Sequence, residues 1–188
     1  MNKKKQLAKN TIIILIGKLC TQFISFFLLP LYTKILTTDE YGVVDLITSY
    51  VALCVPLITL QIENALFRFL IDNREREEEK KKIITNAYIT AIISVIIIFI
   101  IFTIVHLVIN INLYIYISIL VFVTILSNMQ LQASRGLGDN LAYSIGSMIA
   151  GISTIIFNIL FLVVLGFRVE GMLISSILGN ILDRKSVV

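Results

Sequence analysis

No tryptophan, one histidine, two prolines and two cysteines occur in this chain of 188 residues. Cys20 and Cys54 are too few for a disulfide framework, and they lack the paired spacing of a zinc site. His106 has no ligand-spaced partner and reads as an ordinary histidine near a membrane interface. Charge is scarce as well, at 15% of residues against roughly 25% in soluble domains. No stripe of Arg and Lys alternates with exposed aromatics, so no nucleic-acid partner is expected. Loops without paired carboxylates, a nucleophile–base set or a metal cluster give no sign of an enzyme. No cofactor is implied.

What the chain does have is apolar length. Hydrophobic residues make up 57% of it, and its mean hydropathy is +0.94. They fall in blocks near or above the roughly 20 residues that cross a bilayer. Segment one spans about Thr11–Tyr32, segment two Tyr41–Ile62, segment three Ile83–Val108, segment four Leu113–Leu131 and segment five Tyr143–Gly166. A sixth begins near Gly171 and stops abruptly. Pro30 lies close to the far end of the first segment, where it removes few helical hydrogen bonds. Thr37-Thr38-Asp39-Glu40 reads as a helix start, with hydroxyls to cap and carboxylates in the first turn. The expected fold is all-α and polytopic, about six transmembrane helices with the sixth incomplete. Residues 1–182 form one helix bundle, and Asp183-Arg184-Lys185-Ser186-Val187-Val188 reads as a foreign or truncation tail.

Lys18 tests the first segment. A Lys at mid-helix costs about 2.5–3.5 kcal/mol on the insertion scale. The Ile, Leu and Phe residues of Thr11–Tyr32 return roughly −6 kcal/mol on the same scale, so the helix still inserts. The run is too long for a signal peptide and lacks a small-residue cleavage site.

Orientation follows from the 16 basic residues. With the N-terminus in the cytoplasm, Lys3, Lys4, Lys5, Lys9, Arg68, Arg74, Arg76, Lys80, Lys81, Lys82, Arg135, Arg184 and Lys185 all fall inside. Only Lys34 and Arg168 fall outside. Positive charge holds loops on the cytoplasmic side, so the N-terminus is expected there, in a bacterial-type cytoplasmic membrane. The charged loop Asp72–Lys82 is expected to extend a helix, with Glu77–Lys81 and Glu78–Lys82 as i,i+4 pairs. It reads as a solvated topology anchor or a surface for anionic lipid. Small residues Ser144, Gly146, Ser147, Ala150, Gly151 and Ser153 in segment five predict close helix packing.

Several stretches together resemble one family. They are Asn10 and Gly17, then Pro30-Leu31-Tyr32-Thr33, Leu36-Thr37 and Glu40-Tyr41-Gly42. Asn64-Ala65-Leu66-Phe67-Arg68-Phe69, Arg135-Gly136-Leu137-Gly138 and Val169-Glu170-Gly171 complete the set. In this order they resemble the oligosaccharide flippases, also labelled polysaccharide biosynthesis proteins, of the multidrug/oligosaccharidyl-lipid/polysaccharide exporter superfamily. The resemblance runs from Leu7 to Asn180 and matches the family's first half. It implies translocation of a lipid-linked sugar unit by two six-helix bundles facing a central cavity. Implied partners are a polyprenyl-pyrophosphate-linked glycan, membrane lipid, and the polysaccharide polymerase and glycosyltransferases.

Such a protein must hold a pyrophosphate–sugar head group in a polar cavity, which needs cations and hydrogen-bond donors on inward helix faces. Lys18 is the first candidate, with Gln22 one turn further on the same face; snorkelling of Lys18 to the interface is the plain alternative. Asp45 opens the second helix, and Gln61, Glu63, Asn64 and Arg68 cluster at its other end. Arg68 is either a cavity-mouth cation or a partner of Glu63, and Arg135 reads as a topology charge. Two other functions compete: a drug or cation exporter, which would carry acidic coupling residues deep in its helices, and a half-length scaffold for polysaccharide assembly.

Overall fold

The computed structural model describes residues 28–110 and 112–186, together with 11, 12, 15, 19, 22, 23 and 26. Among these residues the structure is helical, with turns between helices and no strand. Residues 28–35 form the described end of α1. The remaining helices are α2 (Thr38–Thr59), α3 (Ile62–Asp72), α4 (Glu77–Ile109), α5 (Tyr114–Leu137), α6 (Asn140–Asn158) and α7 (Val169–Ser186). Four helical stretches are long and apolar enough to cross a membrane: Thr38–Thr59, Glu77–Ile109, Tyr114–Leu137 and Asn140–Val164. Segments two to five of the sequence correspond to them. The chain is thus a polytopic all-α membrane protein. Part of segment one, Lys18 and Cys20 included, lies outside the described residues.

Two helices begin where a side chain satisfies one of the free backbone N–H groups. At α2, Thr37 Oγ1 accepts from the Glu40 N–H at 3.3 Å, and Glu40 Oε2 accepts from the Thr37 N–H at 2.9 Å. This reciprocal box is the helix start that the hydroxyls and carboxylates predict. At α6, Asp139 Oδ1 accepts from the Ala142 N–H at 2.8 Å. Helix α4 opens on Glu77, Glu78 and Glu79, whose carboxylates suit the positive end of the helix dipole. Its ion pairs are Glu77–Lys80 and Glu79–Lys82, at i,i+3 spacing. The i,i+4 pairing expected for Glu77 and Glu78 is therefore corrected by one residue; both spacings bring side chains together on a helix surface.

Two departures from regular helix matter. The first separates α2 from α3, where Leu60 (φ 49°) and Gln61 (φ 55°) both adopt the left-handed conformation. Pro56, one turn earlier, has no N–H to give, and its own carbonyl accepts the Gln61 N–H at 3.1 Å. The second is a π-helical stretch, Ile159–Val164, that continues α6 toward the turn before α7.

Packing uses small residues because lipid supplies no hydrophobic drive between helices. Helix α4 buries only Ala87 and Ala91, and its Ile96, Ile97, Ile100 and Ile101 stay exposed for lipid. Gly136 of α5 lies against α3, where a Cβ would come within 2.7 Å of Leu70 Cβ. Leu66, Leu70, Ile125, Met129 and Leu173 form the most deeply buried part of the core.

Candidate functional site

A polar chain runs along the α3–α5 contact, at the end of the bundle that carries the charged loop between α3 and α4. Gln61 and Asn64 stand one turn apart, and Asn64 Nδ2 donates to Gln61 Oε1 at 2.9 Å. Gln132 of α5 crosses to α3 and donates from Nε2 to Asn64 Oδ1 at 3.2 Å. Arg135, one turn beyond, donates from Nη1 to Gln132 Oε1 at 3.0 Å.

Arg135 is also held by two rings. Its guanidinium carbon sits 4.6 Å from the Phe67 ring centre and 5.1 Å from that of Tyr143. Both contacts are cation–π interactions, one from α3 and one from α6. Arg135 Nε is buried without a hydrogen-bond partner among the described residues. Arg74 approaches the same region, with Nη2 3.5 Å from where a Cβ on Gly138 would stand. Gly138 (φ 92°) closes α5 in the left-handed conformation, which only glycine adopts at no steric cost. Arg135 is therefore more than the topology charge its sequence position suggests. It joins three helices.

The sequence candidates separate in the structure. Asn64 sits in the polar chain. Glu63, its neighbour, is buried and accepts from Thr59 Oγ1 at 2.8 Å. That bond replaces the pairing with Arg68, which is exposed and makes no ion pair among the described residues. Asp45 is exposed near the start of α2, at the other end of that helix from the α2–α3 break. Gln22 is exposed. Lys18 lies outside the described residues. Gln132 reads in the sequence only as the start of a loop to Leu141, whereas α5 continues through it to Leu137; its one signal is the i,i+3 spacing from Arg135, matching that of Gln61 and Asn64.

An apolar groove of about 990 Å³ opens between α2, α4 and α5. Ile47, Cys54, Leu57, Ile58, Phe99 and Phe122 are among its walls, and Ser118 is the one hydroxyl residue besides Tyr50. Its α2 wall ends at Leu57 and Ile58, one turn before Gln61. On α5 the groove is lined from Ile117 to Phe122, ten residues before Gln132, and no residue of the polar chain lines it. At the opposite end of α4, His106 stacks on Tyr114 with ring centres 4.4 Å apart, and Tyr114 hydrogen-bonds Thr103.

A family model described as polysaccharide biosynthesis protein matches residues 7–183, nearly the whole chain and all of the residues just described. No curated protein and no solved structure matches the chain.

Proposed function

The chain belongs to the polysaccharide biosynthesis protein family, and on that footing we propose that it carries a lipid-linked oligosaccharide across the cytoplasmic membrane. The cargo is a polyprenyl-pyrophosphate-linked glycan, moved without chemical change and passed between glycosyltransferases and a polysaccharide polymerase. The observation that supports this reading best is that one helix bundle carries both the Gln61–Asn64–Gln132–Arg135 chain and, lined by other residues of α2, α4 and α5, an apolar groove. An amphiphile needs both: hydrogen-bond donors and a cation for its head, and an apolar surface for its tail. The distribution of Lys and Arg supports a cytoplasmic position for the Arg135 end, where the loaded lipid is made. Lys18 is a second phosphate contact in this proposal.

The test is a strain lacking the gene. It should accumulate the lipid-linked glycan on the inner leaflet, lose surface polysaccharide, and recover both with the wild-type gene. Recovery by an Arg135→Met gene equal to wild type would reject the assignment of the site.

A second reading, a drug or cation exporter, draws on buried Glu63 and its Thr59 hydroxyl, since a buried carboxylate is the group such coupling uses. Glu63→Gln should then abolish cation-dependent drug efflux; under the oligosaccharide reading there is no efflux to abolish.

A further inference from the structure

A guanidinium has N–H donors and no acceptor, and that one-sidedness sets the direction of the whole polar chain. Gln132 must turn Oε1 toward Arg135, so its Nε2 faces Asn64. Asn64 must then accept through Oδ1, and its Nδ2 is left to donate to Gln61 Oε1. Every carbonyl points back toward Arg135 and every NH2 points away from it. Hydrogen bonds in series polarise one another, so the positive charge is felt at the far end. That end is the Gln61 NH2 group. It has no acceptor among the described residues, and Gln61 is exposed.

The backbone adds to the case. Gln61 holds a left-handed conformation, φ 55°, directly after Leu60 at φ 49°. Outside glycine such residues cost about 1–3 kcal/mol each and gather where a site needs a side chain aimed in one direction. The break puts Gln61 three residues after Ile58, the last groove-lining residue of α2.

The geometry points to Arg135 as a positioning residue: through Gln132 and Asn64 it fixes the Gln61 carboxamide with its NH2 outward, and Gln61 donates to an oxygen of the carried head group. The acceptor is a phosphate oxygen or a sugar hydroxyl. This inference rests on the translocation reading, but its key variant leaves both Gln61 and Arg135 in place. In Gln132→Glu, the carboxylate still pairs with Arg135 but can only accept. Asn64 must then turn its NH2 toward residue 132, Gln61 must turn its NH2 toward Asn64, and a carbonyl faces outward. One isosteric change, two links away, inverts the terminal group.

The experiment uses the full chain in lipid nanodiscs, with nitrogen-15 spectra of side-chain amides and two binding probes, a polyprenyl pyrophosphate and free lactose. In the wild type the Gln61 NH2 signals exchange freely with water. In Gln132→Glu they become protected, and affinity falls about tenfold or more, the size of a lost hydrogen bond to a charged group. Arg135→Met releases the order and should broaden the same signals, while Arg135→Lys, another donor-only cation, restores both signals and binding. Loss with the pyrophosphate probe assigns a phosphate acceptor; loss with lactose alone assigns a sugar hydroxyl. Gln61 signals that stay unmoved in both Gln132→Glu and Arg135→Met, with binding retained, overturn the relay alone. Binding of neither probe by the wild-type chain overturns the translocation reading itself.

Discussion

Arg168 donates from Nη1 to Glu40 Oε1 at 2.8 Å, joining the turn before α7 to the first turn of α2 across 128 residues. The other oxygen of the same carboxylate accepts the Thr37 N–H and completes the cap of α2. One side chain therefore both starts a helix and ties the two ends of the described chain together. Glu40→Ala loses the carboxylate half of the capping box and the ion pair, keeping the residue-40 N–H bond to Thr37 Oγ1, whereas Arg168→Ala loses only the pair. The first variant should melt at a lower temperature than the second in detergent. Because exposed pairs are screened by salt, Arg168→Ala and wild type should converge at high ionic strength, while Glu40→Ala stays below both. Melting curves at low and high salt check this.

Gly136 allows α5 to touch α3. A methyl group there would stand 2.7 Å from Leu70 Cβ and 2.8 Å from its Cδ1, too close for any rotamer of Leu70 to relieve, since Cβ is fixed to the backbone. Gly136→Ala should destabilise the bundle by about 1–3 kcal/mol, the usual cost of overpacking. It should also stretch the Gln132–Asn64 contact. Gly42→Ala, inside α2 with nothing within 4 Å, is the control and should instead raise stability by about 0.5–1 kcal/mol, the gain of Ala over Gly in a helix. Denaturant titration of both variants decides the matter.

Asn158 is 1% exposed, and its Oδ1 has no partner among the described residues, while its Nδ2 donates to Thr154 O at 2.8 Å. An unpaired buried acceptor costs about 1–3 kcal/mol. It sits where α6 becomes π-helical, a kind of irregularity that recurs at functional sites. Asn158→Leu should therefore raise the melting temperature of the chain and lower export of surface polysaccharide in a complemented strain. A variant that is less stable than wild type would show that the amide is a packing element.

Much of this fold is legible in the sequence, for a physical reason. Bilayer thickness and the requirement that backbone groups bond internally leave long apolar blocks little choice but helix, so α2, α4, α5 and α6 follow from composition. The cap at Thr37–Glu40 was equally legible, because it is local. The α2–α3 break was not. Segment two reads through to Ile62, and neither Leu60 nor Gln61 is a residue type that announces a left-handed backbone. The site was half legible. Asn64 and Arg135 stand in two of the stretches that carry the family resemblance, but their link through Gln132 spans 68 residues. Nothing in the spacing along the chain fixes which amide faces which. Charge position misled in the same way: Glu63 and Arg68 are sequence neighbours, yet Glu63 turns inward to Thr59.

Lys18→Gln removes the cation expected in α1 and leaves its length unchanged. If Lys18 contacts phosphate, surface polysaccharide should be lost while the protein remains at wild-type level in the membrane. A snorkelling Lys18 gives wild-type export instead. Immunoblots of membrane fractions beside polysaccharide staining separate the two.

On the proposed function, the head group of a lipid-linked oligosaccharide sits at the Gln61–Arg135 end of the bundle. The most direct measurement is photo-crosslinking in membranes, with a diazirine on the first sugar of the lipid-linked glycan and mass spectrometry of the labelled peptides. Labelling should fall on the peptides around Gln61 and Gln132, be competed by unlabelled lipid-linked glycan, and be absent at exposed Ile152. Uniform labelling that includes Ile152 and resists competition would contradict it.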